Sequence, residues 1–246
     1  MTARDPEFSF RFTHAITRAP AASIIRGLRA VDTGNPDLAV MTAHHAAYVA
    51  TLRETGATVI ELPALEDFPD PVFVEDTALC LPEGAVIMRP GAPSRLGEAA
   101  EMAPHLKALY NEVRVVDEGH VEGGDILVTG REILVGPCRR QPFADTPPGV
   151  LHFKTDCSLL DAETVLATDR LAASGCFACY RVVPVAAGEE AAANTIRFND
   201  LVLMPEGFPR TRDTILEGYQ VREIGNSECA KLDGGMSCLS LRFSPR

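Results

Sequence analysis

The stretch Asn226-Ser-Glu-Cys-Ala-Lys-Leu-Asp-Gly-Gly-Met-Ser-Cys238-Leu-Ser-Leu-Arg-Phe243 combines two adjacent glycines, a cysteine and an alternating apolar run. Leu239, Leu241 and Phe243 recur at every second position, the period of a strand with one buried face. Gly234 and Gly235 loosen the backbone just ahead of them. The pattern predicts a thiol where a turn becomes a strand, held rigidly but still reachable. Cysteines outside disulfides usually behave as small buried hydrophobes. A thiolate is also the strongest nucleophile a protein carries near neutral pH, so Cys238 is a candidate for chemistry as well as for the core.

Working outward, the chain repeats a hairpin, a helix and a strand every ~40 to 50 residues, a spacing that suits propeller-like repetition better than a doubly wound sheet. Pro36-Asp37 opens a helix whose Leu38, Met41, His45, Tyr48 and Leu52 share one face, with Gly56 as its stop. His45 on that stripe reads as a core histidine. Thr58–Leu62 is strand-like, and Thr77–Leu81 with Ala85–Met88 reads as a hairpin. A helix from Leu96 to Tyr110 contains Pro104, which predicts a late start or a kink. Further hairpins are expected at Ile126–Thr129 with Glu132–Val135 and at Thr195–Phe198 with Leu201–Met204. Strands are expected at Val113–Val116, Val150–Lys154, Thr164–Thr168, Arg181–Val185 and Val221–Ile224. Helices are expected at Ala21–Val31, Asp169–Cys179 and Thr211–Gly218. Gly136–Gly149 is proline-rich and carries no period.

Composition narrows the function. At 246 residues, 46% hydrophobic and 23% charged, the chain suits one large globular domain or two small ones. A net charge of -11 argues against nucleic acid or an anionic membrane surface as partner and favours a small cationic ligand. No apolar run approaches the ~20 residues that span a bilayer, and Met1-Thr-Ala-Arg-Asp-Pro-Glu7 lacks the apolar core of a signal peptide, so a cytoplasmic location is expected. Seven scattered cysteines make a poor disulfide framework and fit a reducing compartment. Cys176-Phe-Ala-Cys179 has no second Cys/His pair at zinc-site spacing and reads as coincidence on a helix face.

Carboxylates recur at strand entries: Asp70, Glu75 and Asp76 within seven residues, then Glu122-Gly-Gly-Asp125. Together with a thiol and a histidine, they suit nucleophilic substitution on a guanidinium, which is both cationic and trigonal. Asp76 and Glu122 would grip its N–H groups, Cys238 would attack its carbon, and His152 would protonate the departing amine. Each piece has a plainer reading. Glu122–Asp125 is also a good turn, His152 in Val150–Lys154 a good strand residue, and Arg95 a good solvated loop charge.

Phe73-Val-Glu-Asp76, Arg89-Pro-Gly-Ala-Pro-Ser-Arg95, Glu122-Gly-Gly-Asp125, Leu151-His-Phe-Lys154 and Asp233-Gly-Gly-Met-Ser-Cys238, in this order, resemble the dimethylarginine dimethylaminohydrolase family of the guanidine-modifying (pentein) superfamily. The resemblance runs from about His14 to Phe243. It implies a five-bladed α/β propeller forming a single catalytic domain over residues 1–246. It also implies hydrolysis of Nω-methylated arginine to citrulline and a methylamine through a covalent S-alkylthiouronium, without metal or cofactor. By motif, Cys238 resembles the nucleophile, His152 the general acid/base and Glu122 the carboxylate beside it. Asp70, Glu75 and Asp76 resemble substrate-binding acids, Arg95 and Arg140 carboxylate-binding arginines, and Leu232 a position whose carbonyl receives the α-ammonium. The family pattern has a whole helix and strand after Arg140 where this chain has only Gln141–Gly149, so either one blade is trimmed near 137–149 or a segment is absent from this sequence. An exposed outer strand there could pair two copies into a homodimer. The alternatives are an arginine deiminase, an amidinotransferase, or a propeller that only binds an amino acid.

Overall fold

In the computed structural model, which describes residues 6–136 and 152–246, the last strand of the chain lies against the first. Strand β1 (His14–Arg18) also pairs in parallel with β2 (Thr58–Leu62), in a register that sets His14 opposite Thr58 and Arg18 opposite Leu62. The crossover is helix α1 (Leu38–Glu54). Its start is set by Asp37, whose carboxylate accepts the N–H groups of Ala39 and Val40 at 2.8 and 3.1 Å. Its end is set by Gly56 at φ +86°. Met41, His45, Tyr48 and Leu52 are buried along one face, as the spacing predicts. Ahead of α1, the expected helix Ala21–Val31 is only the one-turn 3-10 helix Ala22–Arg26.

A second sheet follows. β3 (Ala78–Leu81) and β4 (Gly84–Ile87) form the expected hairpin, α2 (Leu96–Lys107) runs through Pro104, and β5 (Val113–Val115) returns parallel to β4. The two sheets share a core that includes Ile16, Val74, Met102, Leu106, Leu241 and Phe243. With the C-terminal segment 225–246, residues 12–123 make one compact unit.

The other unit comprises the described residues of 6–11 and 124–224. It opens with the hairpin β6 (Ile126–Val128) and β7 (Ile133–Val135). The next hairpin is β8 (Cys157–Asp161) with β9 (Thr164–Ala167), and β10 (Arg181–Pro184) lies parallel to β9. Of the expected strand at Val150–Lys154, residues 150 and 151 lie outside the described residues and Phe153 and Lys154 open a 3-10 helix, with β8 following it. Four of its five residues are buried, so it has no alternation to announce it. The helix expected over Asp169–Cys179 stops as the single turn α3 (Asp169–Ala172), and Gly175 takes φ +78° just beyond. Cys176 and Cys179 therefore lie in turns, not on a helix face. β11 (Ile196–Phe198) and β12 (Leu201–Pro205) form the last hairpin, its turn made by Asn199 at φ +57°. α4 (Pro209–Leu216) then leads to β13 (Gln220–Ile224), parallel to β12. Residues 137–149, the expected trimmed blade, lie outside the described residues.

The first unit is completed by the one-turn α5 (Ser227–Ala230) and by β14 (Leu241–Phe243), antiparallel to β1. The described residues thus form an α/β structure of five small sheets, four with three strands and one with two. No helix among them is long and apolar enough to cross a membrane.

His45 is 5% exposed, and burial holds its pKa below the ordinary histidine value despite the nearby Glu61. The unfolded chain therefore takes up this proton first, and stability falls as pH drops through about 6.5 toward the folded value. In thermal melts between about pH 7 and about pH 5, His45→Leu should lose less stability than the parent. A parallel decline in the two proteins would refute this account.

Candidate active site

Cys238 is half-buried on a one-turn 3-10 helix, Ser237–Leu239, and the strand begins only at Leu241. The expected turn-to-strand placement is therefore displaced by one short helical turn. The Arg242 side chain folds back over this turn and bonds the carbonyls of Ser237 and Ser240 at 2.8 and 2.9 Å. The Cys238 sulfur accepts the Gly235 N–H at 3.4 Å. Gly234 is required for a different reason from flexibility: a Cβ there would run into the ring of Phe73.

The acids converge from a neighbouring turn. The 3-10 helix Val74–Thr77 packs on the Ser237–Leu239 turn, which brings Glu75 and Asp76 beside the segment that carries Cys238. Glu75 accepts a hydrogen bond from Arg242 at 2.6 Å. Asp70 accepts the Leu28 N–H at 3.1 Å. A Cβ on Gly27 would lie 2.8 Å from both Asp70 Oδ1 and Leu232 Cδ1, so a glycine lets this segment seat against both residues.

Arg95, which the resemblance implies as a clamp on the substrate carboxylate, is bonded here to groups of its own chain. It is 6% exposed and donates to Glu98 at 2.9 Å, Asp76 at 2.6 Å and the Phe73 carbonyl at 2.9 Å. In this arrangement it is the internal hub of an acid cluster. Burial lowers its pKa, but Asp76 and Glu98 outweigh that and hold it above the usual arginine value. Burial pushes Asp70 up to about 6 and Glu98 up to about 7, with Arg95 opposing both. Three carboxylates around one guanidinium leave an excess of negative charge.

Glu122 belongs to the same unit. The preceding residue, Val121, forms an antiparallel bridge with Arg89, and the Glu122 carboxylate accepts the Gly91 N–H at 3.0 Å. A Cβ on Gly123 would run into the Glu75 carbonyl oxygen, so this backbone lies directly against the acid turn. Cys238, Glu75, Asp76 and Glu122 are thereby gathered through their backbones.

His152 lies in the other unit. It is half-buried and caps the 3-10 helix Phe153–Thr155, where the expectation was a strand. Its N–H donates to the Thr155 hydroxyl at 3.2 Å, and the Phe153 N–H donates to Asp125 at 3.2 Å. These local bonds turn the backbone and compete with a strand ladder. Arg140 lies outside the described residues. Glu98, Tyr48 and Arg242 are the polar participants that pattern reading missed. Glu98 lies on a helix and Arg242 between two apolar strand residues, positions that ordinarily face solvent.

Comparison with known proteins places this geometry. No protein-family model matches the chain. It is 37% identical to N(G),N(G)-dimethylarginine dimethylaminohydrolase of Pseudomonas aeruginosa, over 94% of this chain and 100% of that protein. The chain belongs to the dimethylarginine dimethylaminohydrolase family. Among solved structures of this family, the Pseudomonas aeruginosa enzyme with a cysteine replaced by serine, complexed with citrulline, matches with a TM-score of 0.89 and 35% identity. That match covers 95% of this chain and 100% of the other. A histidine-to-glycine form of a dimethylarginine dimethylaminohydrolase, as its adduct with S-methyl-L-thiocitrulline, matches with a TM-score of 0.90 and 36% identity, covering 94% and 100%. The pentein superfamily membership expected from the motifs is thereby established.

The acid cluster carries a pH signature. Glu98 holds its proton more tightly when folded than when unfolded, so the folded state binds more protons between the usual carboxylate range and about 7. Stability should fall as pH rises through that window. Glu98→Gln should flatten this decline in urea titrations at a series of pH values, and an unchanged slope would exclude Glu98 as its source.

Proposed function

We propose that this chain hydrolyses Nω-methylated L-arginine, asymmetric dimethylarginine and monomethylarginine, to L-citrulline and dimethylamine or methylamine. It is then a hydrolase acting on the C–N bond of a linear amidine. The observation that carries this reading is the near-full-length identity to a dimethylarginine dimethylaminohydrolase, with Cys238 on the turn that packs against Glu75 and Asp76. Solved family members that hold citrulline and an S-methyl-L-thiocitrulline adduct add support.

In the proposed reaction the Cys238 thiolate attacks the guanidinium carbon and forms a C–S bond. His152 gives a proton to the methylated nitrogen, and the C–N bond breaks to release the amine. The S-alkylthiouronium that remains is attacked by water; His152 takes one of its protons and the other leaves to solvent as the new C–O bond becomes a carbonyl. The C–S bond then breaks, citrulline leaves and the thiolate is restored. Asp70, Asp76 and Glu122 are assigned to the substrate cation, which their negative charge suits. Leu232 is assigned to the α-ammonium through its carbonyl, and Arg95 with Arg140 to the α-carboxylate. For Arg95 this requires exchanging an internal acid for the substrate carboxylate.

The finer architecture is part of the same reading: five blades of an α/β propeller in one catalytic domain over 1–246. The repeated hairpin, helix and strand supports it, as does the pairing of β14 with β1. A homodimer and a cytoplasmic location complete the proposal. A single calorimetric transition, and a sedimentation mass twice that of the chain, would be the expected results.

The decisive assay incubates the protein separately with dimethylarginine, monomethylarginine and arginine. Citrulline should form from the methylated substrates and not from Cys238→Ser, with a covalent adduct on Cys238 after acid quench. Turnover of arginine alone would point to a deiminase instead. Binding without turnover by any of the three would leave an amino-acid-binding protein.

A further inference from the structure

Attack by sulfur on a resonance-stabilised carbon depends on where the sulfur is held, and a displacement of about 1 Å costs roughly 100-fold in rate. Cys238 sits on a 3-10 helix of three residues, too short to hold its own geometry. Something outside the turn must fix it. We propose that Arg242 is a positioning residue for Cys238, acting through the backbone on both sides of the cysteine and locked in place by Glu75 and Tyr48. The proposal rests on the reading of Cys238 as nucleophile.

One guanidinium nitrogen of Arg242 donates to the Ser237 carbonyl at 2.8 Å and the Ser240 carbonyl at 2.9 Å, two acceptors that bracket Cys238. The same nitrogen lies 3.1 Å from the Ser240 hydroxyl. The other terminal nitrogen donates to Glu75 at 2.6 Å. From α1, the Tyr48 hydroxyl is 3.0 Å from the Met236 carbonyl and 2.6 Å from the Ser240 hydroxyl.

Donor and acceptor capacities fix the direction of this chain. A carbonyl only accepts, so Tyr48 donates to Met236. Arg242 only donates, so Ser240 accepts from Arg242 and passes its own proton toward Tyr48. Burial pushes the Tyr48 phenol up to about 12, which keeps that hydroxyl protonated. The carbonyls of residues 236, 237 and 240 are thus all held by side chains from two other positions.

The burial supports a specific task. Arg242 stands between Leu241 and Phe243 on a strand, where an arginine would normally face water, yet its side chain is only 14% exposed. An arginine so enclosed is costly unless paired. Glu75, with a side chain 4% exposed, supplies the pairing and sets the angle of the fork. A lysine would keep the charge, but its single ammonium lacks the planar fork that reaches Glu75 and the turn together. By this reasoning Glu75 acts on Cys238 through Arg242.

The test compares the parent, Tyr48→Phe and Arg242→Lys, with Cys238→Ser as the control. Two readouts are used: steady-state turnover of dimethylarginine, and the pH dependence of Cys238 alkylation by iodoacetamide, followed by mass spectrometry. Folded variants should lose about 10- to 100-fold in kcat with KM within about twofold, and their alkylation midpoints should shift from that of the parent. Tyr48→Phe removes only a hydroxyl, so it decides the matter if Arg242→Lys fails to fold. Folded Tyr48→Phe with the parent's kcat and alkylation profile overturns the proposal. A loss of kcat that follows only the melting temperature, with an unmoved alkylation profile, overturns it too. Should Cys238→Ser remain active, the nucleophile reading fails separately. The alkylation profile of Tyr48→Phe then decides the positioning claim alone.

Discussion

In the unit that carries Cys238, two largely buried guanidinium groups are paired with carboxylates, which offsets the cost of taking their charge out of water. Arg95 is held by Asp76 and Glu98, and Arg242 by Glu75. Each cation reaches across the chain, from residue 95 back to 76 and from 242 back to 75. The adjacent residues Glu75 and Asp76 therefore serve two different arginines. Removing either partner leaves an uncompensated charge away from water, a cost typically near 3 to 5 kcal/mol, roughly. That asymmetry ties the acid turn to the cysteine turn more firmly than apolar packing alone would.

Asp70, Asp76 and Glu98 lie around Arg95; burial pushes Asp70 and Glu98 upward, and Arg95 opposes that shift without cancelling it. A site of this kind is poised for a further cation, in keeping with the proposed substrate. Arg95 also shows that a residue's type is weaker guidance than its partners. An arginine in a proline- and glycine-rich loop reads equally as solvated or as a ligand clamp, and here it is enclosed by the acids of its own chain.

Legibility varied with how much of each element's stability is local. α1 was readable because its cap, its stripe and its glycine stop all lie within one stretch of chain. β2 and the β3–β4 hairpin were readable for similar reasons. β8 was not, since burial on both faces erases the period of two. The helix expected over Asp169–Cys179 from its alanine-rich composition is cut to one turn ahead of Gly175, which takes a left-handed conformation. His152 lost its expected strand to the hydroxyl of Thr155 and the carboxylate of Asp125, partners that hydropathy does not weigh.

By itself the sequence determined the chemistry and the kinship: a cysteine after two glycines, acids in sets, an acidic net charge, and motifs whose order matches the dimethylarginine dimethylaminohydrolase family. These are properties of residue type and spacing, which one-dimensional order preserves. Only the tertiary structure decided that Cys238 rides on a 3-10 turn, that Arg242 and Tyr48 hold its flanking carbonyls, and that Arg95 pairs with Asp76 and Glu98. Those outcomes depend on hydrogen bonds between residues as far apart as 48 and 236. The energy of such a bond is set by burial and geometry, quantities that exist only once the chain has folded.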